Sequence, residues 1–336
     1  MVVSALDTAV SLGANVVRTW AFLEGGNIKG TNNYNGYSLQ YSTGYGDPTI
    51  NYGDYGLNHL DDIIFTAKQK GVKLILALSD NWRSFGGIDQ YANWWSKDKH
   101  DNFFSDDLIK GSFKRWISTV LNRVNHNDNV AYKNDPTIMA WELINEPRCA
   151  GSGLFWTSGN CNTNMISDWV LEMSNYVRSI DTKHMIGVGD EGFFARASTT
   201  DWTYNAGDVG GGVDFDKYLT FPNINFGTFH MYPDAWNKDA TNWPVQWIND
   251  HAAAGVAKGK PVILEEYGWY NDGNRPSYFT TWLNAVYNSG LAGSNFWMLG
   301  VSGSPGDNYL LTTSDTATLN VFTAHKNAML AKNTCP

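Results

Sequence analysis

Apolar residues along this chain fall into two alternating patterns. Short, near-continuous apolar runs occupy 15–22 (NVVRTWAF), 72–79 (VKLILALS), 138–145 (IMAWELIN), 184–190 (HMIGVGD), 224–232 (INFGTFHMY), 261–267 (PVILEEY) and 292–299 (AGSNFWML). Runs of this kind suit parallel strands buried on both faces. Between them apolar residues recur every three to four positions, the spacing of one helix face. This pattern predicts helices over 57–70, 106–124, 164–180, 243–258, 276–288 and 316–331, with a further helix running into the first strand from the N-terminus. The 106–124 stripe is Leu108, Ile109, Phe113, Trp116, Ile117, Val120, Leu121 and Val124. Gly71, Gly259 and Gly290 stand just past three of the helices, where a left-handed C-terminal cap favours a residue without Cβ.

Strand–helix alternation with a parallel sheet leaves a doubly wound fold or a closed barrel. A nucleotide-binding doubly wound fold carries a Gly-rich turn after its first strand, and no GxGxxG or P-loop stands at a strand end. Instead, polar and aromatic residues gather at the C-terminal ends of the runs: Arg18, Trp20, Asn81, Trp82, Asn145, Glu146, His230, Tyr232, Glu266 and Trp297. A barrel builds its active site at that face. The chain therefore reads as α/β, a single (β/α) barrel over 1–336 with no internal domain boundary and no second module. Loops 23–56, 80–102 and 195–222 are rich in Gly, Asn, Tyr and Asp and would wall the mouth.

Composition narrows the function. The 336 residues carry 24 Lys+Arg against 33 Asp+Glu, a formal charge of −9. That balance argues against a nucleic-acid partner, which needs a basic face. No apolar run approaches the length of a membrane span. Aromatic residues reach 14%, including 15 Trp. Cys149, Cys161 and Cys335 are too few for a disulfide scaffold and wrongly spaced for zinc. Cys149 and Cys161 bracket a short polar loop, which leaves a local disulfide and two free thiols both open. There is no N-x-[ST] sequon, and no metal or cofactor is expected.

Glu146 in WELINEPR and Glu266 in ILEEYGW sit at the ends of two strands. A carboxylate placed in an apolar barrel core needs a partner or a task. Two facing carboxyls ringed by aromatics match glycoside hydrolysis, in which one protonates the leaving oxygen and the other attacks the anomeric carbon or activates water. The alternative is a pair of salt-bridged residues at the barrel mouth. Strand alternation sends the neighbouring Glu265 to the opposite face from Glu266.

The segments NVVRTWAF, ALSDNWRSFGG, AWELINEPRC, FHMYPDAW, ILEEYGW and SNFWMLG together resemble glycoside hydrolase family 5, and within it the fungal-type endo-β-1,4-mannanases. The resemblance runs over essentially the whole chain and implies a retaining (β/α)8-barrel enzyme. It makes Glu146 the general acid/base and Glu266, in the EYG frame, the nucleophile. Arg18 is similar to the family arginine that hydrogen-bonds the nucleophile and would keep it ionised. Asn145 would bind the sugar 2-hydroxyl. Tyr232 would orient the nucleophile, and His230 would support the acid/base unless it is simply a satisfied core histidine. Trp297 resembles the platform under the cleaved sugar, its alternative being a core tryptophan. Trp20 and Trp236 complete the expected substrate-binding set.

Asn81–Trp82 after the strand at 72–79, and Arg148 directly after NEP, favour mannan over cellulose, with Arg148 reaching a leaving-side sugar. The expected partner is a mannan, galactomannan or glucomannan, met by a monomer with no membrane association. Loop residues Trp94, Trp95, Trp156, Trp202, Trp236 and Trp269 would extend the cleft, with about half of them packing the rim instead. Competing readings are a relative acting on β-1,4-glucan, an exo-β-mannosidase and a non-catalytic carbohydrate-binding barrel. The resemblance implies secretion, although no signal peptide is visible. Seven strands are counted where the family has eight, so the first strand is expected to be missing from the sequence as given.

Overall fold

The computed structural model describes residues 2–26, 37–42, 44–153, 155–196, 199–206, 211–304 and 306–332. Among these, the seven predicted strands form at β1 (Val16–Trp20), β2 (Lys73–Ala77), β3 (Ile138–Glu142), β4 (Met185–Gly187), β5 (Gly227–Met231), β6 (Val262–Tyr267) and β7 (Gly293–Ser294). All their pairings are parallel, β1–β2–β3–β4 in one sheet and β5–β6–β7 in the other. Polar side chains and loop backbone stitch the two sheets together. Asn225 donates its N–H to Ile186 O at 2.8 Å and accepts from Ile186 N–H on Oδ1 at 2.9 Å. At the other junction, β1 and β7 each have a ladder partner on one side. A cavity of about 640 Å³ lies between them, bounded by the first and last helices.

The helices fall where the apolar stripes put them: α1 (Val2–Ser11), α2 (Leu57–Lys70), α3 (Asp107–Asn122), α4 (Thr163–Ile180), α5 (Asn242–Lys258), α6 (Arg275–Ser289) and α7 (Thr316–Lys332). In α3, Ile109, Phe113, Trp116, Ile117, Val120 and Leu121 are buried in the main hydrophobic core. Each fully buried side chain of this size contributes about 1.5–3 kcal/mol. Leu108 and Val124, at the two ends of the predicted stripe, face solvent instead. Asp106 caps α3 by accepting the N–H groups of Leu108 and Ile109, two of the donors a helix start leaves unpaired. Gly71, Gly259 and Gly290 all adopt the left-handed cap conformation. This is the (β/α)8-barrel architecture, with seven strands among the described residues.

All seven strands are shorter than their apolar runs, β3 and β7 at the ends that build the site. β3 stops at Glu142, yet its backbone stays tethered beyond that point: Asn145 N–H donates to Ser79 O at 2.9 Å and Glu146 N–H to Gly189 O at 2.8 Å. β7 covers two residues, after which Asn295 and Trp297 still donate to Leu264 O and Tyr267 O. Inside the barrel, Ile75, Ala140 and Phe226 form a small apolar plug. Arg18 and Trp20 share a face of β1 with Val16, which packs on that plug. The wall loops carry their own structure: a small three-stranded sheet at 24–25, 40–41 and 49–50, a helix Gly87–Trp94 and a turn of helix Phe215–Tyr218. Cys149 and Cys161 form a disulfide, whereas Cys335 lies outside the described residues. No helix among those residues is long and apolar enough to cross a membrane.

Candidate active site

Four strand ends deliver the charged groups. Arg18 comes from β1, Glu142 and, just beyond, Asn145 and Glu146 from β3, His230 from β5, and Glu265 and Glu266 from β6. One oxygen each from Glu146 and Glu266 and one ring nitrogen of His230 all lie within 4.8 Å of one another. Both carboxyls are almost fully buried, at 9% and 6% exposure.

Arg18 is the hub. Its Nη1 donates to Glu266 Oε1 at 2.5 Å, its Nη2 to Asn145 Oδ1 at 2.9 Å and its Nε to Glu142 Oε2 at 2.7 Å. Burial by itself would lower the guanidinium's pKa, but Glu142, Glu265 and Glu266 hold it up, so it stays a fixed cation. Tyr232 donates its hydroxyl to the other oxygen of the same carboxyl, Glu266 Oε2, at 2.6 Å. Glu146 has a different shell. The indole N–H of Trp82 donates to its Oε2 at 2.5 Å, and His230 Nδ1 lies 2.6 Å from its Oε1. Glu146 also holds a left-handed backbone at φ 50°, unusual for a residue with a Cβ and characteristic of functional turns.

These shells set the electrostatics. Burial raises the pKa of both carboxyls. At Glu146 the opposing influences are Arg148, the Trp82 N–H and Arg18. At Glu266 they are His230, Arg18 and the Tyr232 hydroxyl, while the charge of Glu146 adds to the rise. Arg18 lowers the pKa of Glu266 as expected, and it offsets the rise from burial without overriding it. Glu266 still accepts a contact guanidinium bond, so it is the member of the pair better suited to ionise first. Burial lowers the pKa of His230, which favours neutral imidazole at neutral pH.

Each predicted residue can now be located. Glu146, Glu266, Arg18, Asn145, His230, Tyr232 and Trp82 share one hydrogen-bonded cluster. Trp20 stacks under the Arg18 guanidinium at 5.0 Å and meets the Trp297 ring at 5.9 Å, so both flank the cluster half-buried. Arg148 is clamped by Glu191 through two 2.5 Å bonds and lies over the rings of Trp82 and Phe193. Asn81 is fully buried and braces the loop, accepting the Arg148 N–H at 3.0 Å and facing His100 Nε2 at 2.9 Å. Trp236, at 9% exposure, is packed among Phe193, Trp202, Tyr232, Trp243 and Trp247 behind the cleft wall, with little ring face left for a sugar. Of the loop tryptophans, Trp94 and Trp269 are likewise buried, and Trp156 is 73% exposed.

Glu265 does not turn to the opposite face. The β5–β6 register passes from Phe229↔Leu264 to His230↔Glu266 and skips Glu265. A bulge of this kind breaks strict alternation. Glu265 thereby stays inside, 3.3 Å from Arg18 Nε and 3.4 Å from His230 Nε2. Five further residues, outside the set expected from the sequence, support the site. Asp80 accepts from Asn145 Nδ2 at 3.0 Å, Glu142 takes Arg18 Nε, Glu191 clamps Arg148, and the buried Asp89–His100 pair (2.6 Å) backs Asn81. Asp80 and Glu191 directly follow apolar runs, and that position was the available signal.

A parallel barrel with two adjoining buried carboxyls, one bound to an arginine and a tyrosine and the other to an indole and an imidazole, defines a glycoside hydrolase of the two-carboxylate type. Residues 2–309 match the family described as GH family 5 beta-mannosidase-like, and the chain belongs to that family. It is 38% identical over 309 residues to mannan endo-1,4-beta-mannosidase A of Podospora anserina, covering 91% of this chain and 75% of that protein. It is 35% identical over 352 residues to mannan endo-1,4-beta-mannosidase 1 of Oryza sativa subsp. japonica, covering 97% and 76%. The crystal structure of the endo-1,4-beta-mannanase from Rhizomucor miehei superposes with a TM-score of 0.90 at 41% identity, covering 98% of this chain and 90% of that one.

Proposed function

We infer that this chain hydrolyses internal β-1,4-mannosidic bonds of mannans by double displacement, with retention at the anomeric carbon. The observation that carries the mechanism is the approach of Glu146 and Glu266, whose nearest ligand-capable oxygens lie within 4.8 Å. Retaining enzymes hold their carboxyls about 5–5.5 Å apart, while inverting ones leave about 6.5–9.5 Å for a water. The mannan specificity is supported by the relatives above, which are mannan endo-1,4-beta-mannosidases.

In this reading Glu146 begins protonated, a state that burial favours. It gives its proton to the leaving glycosidic oxygen as Glu266 attacks the anomeric carbon, so the C–O bond to the leaving chain breaks as the glycosyl–Glu266 ester forms. Esterification removes the negative charge of Glu266, which lowers the pKa of Glu146 and fits it to act as base. Glu146 then takes a proton from water, whose oxygen displaces Glu266 and releases the β-sugar. Arg18 and Tyr232 hold the attacking carboxylate in place from both oxygens. Asn145 is held by Arg18 and Asp80 and offers its second amide hydrogen to the sugar 2-hydroxyl. Trp297 and Trp20 supply apolar ring surface beside the cleaved sugar. Arg148 is prepositioned by Glu191 for the leaving-side sugar.

The proposal extends to one catalytic domain over 1–336, working as a monomer and acting outside the cell on a polymer too large to import. Assays on mannan and on carboxymethylcellulose, with product sizing from mannohexaose, test it. Internal cuts in mannan are expected. Release of single mannose units, or a preference for the cellulose derivative, overturns the specificity.

A further inference from the structure

Beneath the two reacting carboxyls lies a second carboxyl pair that the mechanism above does not use. Glu142 and Glu265 are each fully or almost fully buried, at 0% and 1% exposure. Both place an oxygen against the same donor, Arg18 Nε, Glu142 Oε2 at 2.7 Å and Glu265 Oε2 at 3.3 Å, which brings the two carboxyls together. Each also has one oxygen, Oε1, that is buried and without a donor. Two ionised carboxylates in such contact would repel in a site that water cannot screen, and would leave acceptors unsatisfied.

The surrounding charges sharpen the count. The groups facing Glu265 are Arg18 on β1, Glu142 on β3, His230 on β5 and Glu266 beside it on β6. Glu146 lies beyond His230. Toward the cavity between β1 and β7, His325 and Lys326 of α7 line the same space. Arg18 is the cation in direct contact with three of these carboxyls, Glu142, Glu265 and Glu266. Its short bonds go to Glu266 at 2.5 Å and to Glu142 at 2.7 Å, while Glu265 stands off at 3.3 Å. The two charges that the guanidinium neutralises best are therefore on Glu266 and Glu142.

We propose that Glu265 is a neutral carboxylic acid in the resting enzyme, donates its hydrogen toward Glu142, and acts as a positioning residue for Arg18 and His230. The proton supplies the donor that the Glu142–Glu265 pair lacks. With Glu265 neutral, Arg18 is not drawn away from Glu266 by a third full charge. The same carboxyl meets His230 Nε2 at 3.4 Å, so it fixes the far side of the imidazole whose Nδ1 contacts Glu146. Burial and the neighbouring Glu142 and Glu266 carboxyls also hold the pKa of Glu265 well above the usual range, against the pull of Arg18.

The proposal rests on Glu146 and Glu266 being the reacting pair, and its test separates the two. Infrared spectra of the full-length resting enzyme, recorded at neutral pH with ¹³C-labelled glutamate, are compared between wild type and E265Q. Loss of a carboxylic-acid C=O band in E265Q is expected. Loss of a carboxylate band instead overturns the proposal, whatever the activity. In kinetics, E265A is expected to lose at least about tenfold in kcat, and E265Q, which keeps the shape and neutrality, to recover to within about threefold of wild type with the acid limb of its pH profile unmoved. E142Q, which removes a charge, is expected to lose at least about tenfold and to move that limb. An E265Q enzyme as impaired as E265A, or one whose acid limb shifts, overturns the assignment. Activity persisting in E146A or E266A would count against the reacting pair and leave the infrared result standing.

Discussion

Tyr232 donates its phenolic hydrogen to Glu266 Oε2 at 2.6 Å, on the opposite oxygen from the one that Arg18 holds at 2.5 Å. Glu266, the proposed nucleophile, is thus held at both oxygens before substrate arrives. A hydrogen bond to a charged group contributes about 1.5–3 kcal/mol. Tyr232→Phe is expected to lower kcat by about 10- to 150-fold with the fold intact, as read from saturation kinetics on mannohexaose and a thermal melt. An unchanged kcat would remove Tyr232 from the nucleophile's support.

Glu146→Ala and Glu266→Ala should each abolish mannan hydrolysis. Azide distinguishes their roles on an aryl mannoside with a good leaving group. With Glu146 removed, azide attacks the glycosyl–enzyme ester and yields a β-azide. With Glu266 removed, it attacks the free substrate from the nucleophile's side and yields an α-azide. The reverse pattern would exchange the two assignments.

Trp82 donates to Glu146 Oε2 and so stabilises the carboxylate, holding its pKa below what burial alone would give. Trp82→Phe keeps an aromatic ring and deletes that donor. The pKa of Glu146 then rises, and the alkaline limb of kcat/KM, where the acid loses its proton, moves to higher pH. A limb that stays in place or moves down would contradict the assignment of that limb to Glu146.

Asp80 is pushed up to about 8 by burial, and the charges of Glu146 and Glu266 add to the rise. A free aspartate titrates near 4. Its folded pKa is raised, so its stabilising contribution is complete below the unfolded value and is lost as pH rises through the folded one. Asp80→Asn removes that titration and keeps an oxygen for Asn145. The stability of D80N relative to wild type should grow from pH 4 to pH 8, as read from urea melts at pH 4, 6 and 8. A constant difference would show that Asp80 does not carry the proton.

The Cys149–Cys161 bond closes a loop whose backbone also supports the site: Ala150 O accepts from Asn81 Nδ2 at 3.3 Å, and Gly151 packs against the His100 ring. Closing a loop of this length contributes about 3 kcal/mol. Cys149→Ser with Cys161→Ser is expected to lower the melting temperature and raise KM more than it lowers kcat, because the loop continues directly from Arg148. A variant with wild-type melting and KM would separate the loop from the cleft.

The apolar runs and stripes are enough to place the seven barrel strands and the helices α1 to α7, though not the short helices within the wall loops, because burial on both faces of a parallel sheet writes itself directly into composition. The motif residues at the strand ends were legible for the same reason: Arg18, Glu146, His230 and Glu266 are charged or polar where a buried strand should be apolar. Glu265 was misplaced because alternation assumes an unbroken ladder, and the register slip beside His230 is a backbone event without a local sequence signature. An aromatic near a strand end, such as Trp236, looks the same in sequence whether its ring faces a sugar or five other aromatics. Asn81 was similarly read as a ligand, although its partners, His100 and the Arg148 N–H, come from distant segments. Contacts of that range form only when the loops are folded onto the barrel.

The account rests on Glu146 and Glu266 acting as a retaining pair on internal mannosidic bonds. Proton NMR of the first products released from mannohexaose measures both features at once. Shorter oligosaccharides whose new reducing ends appear first as the β-anomer, before mutarotation, are the predicted result. An initial α-anomer, or mannose as the sole early product, would contradict it.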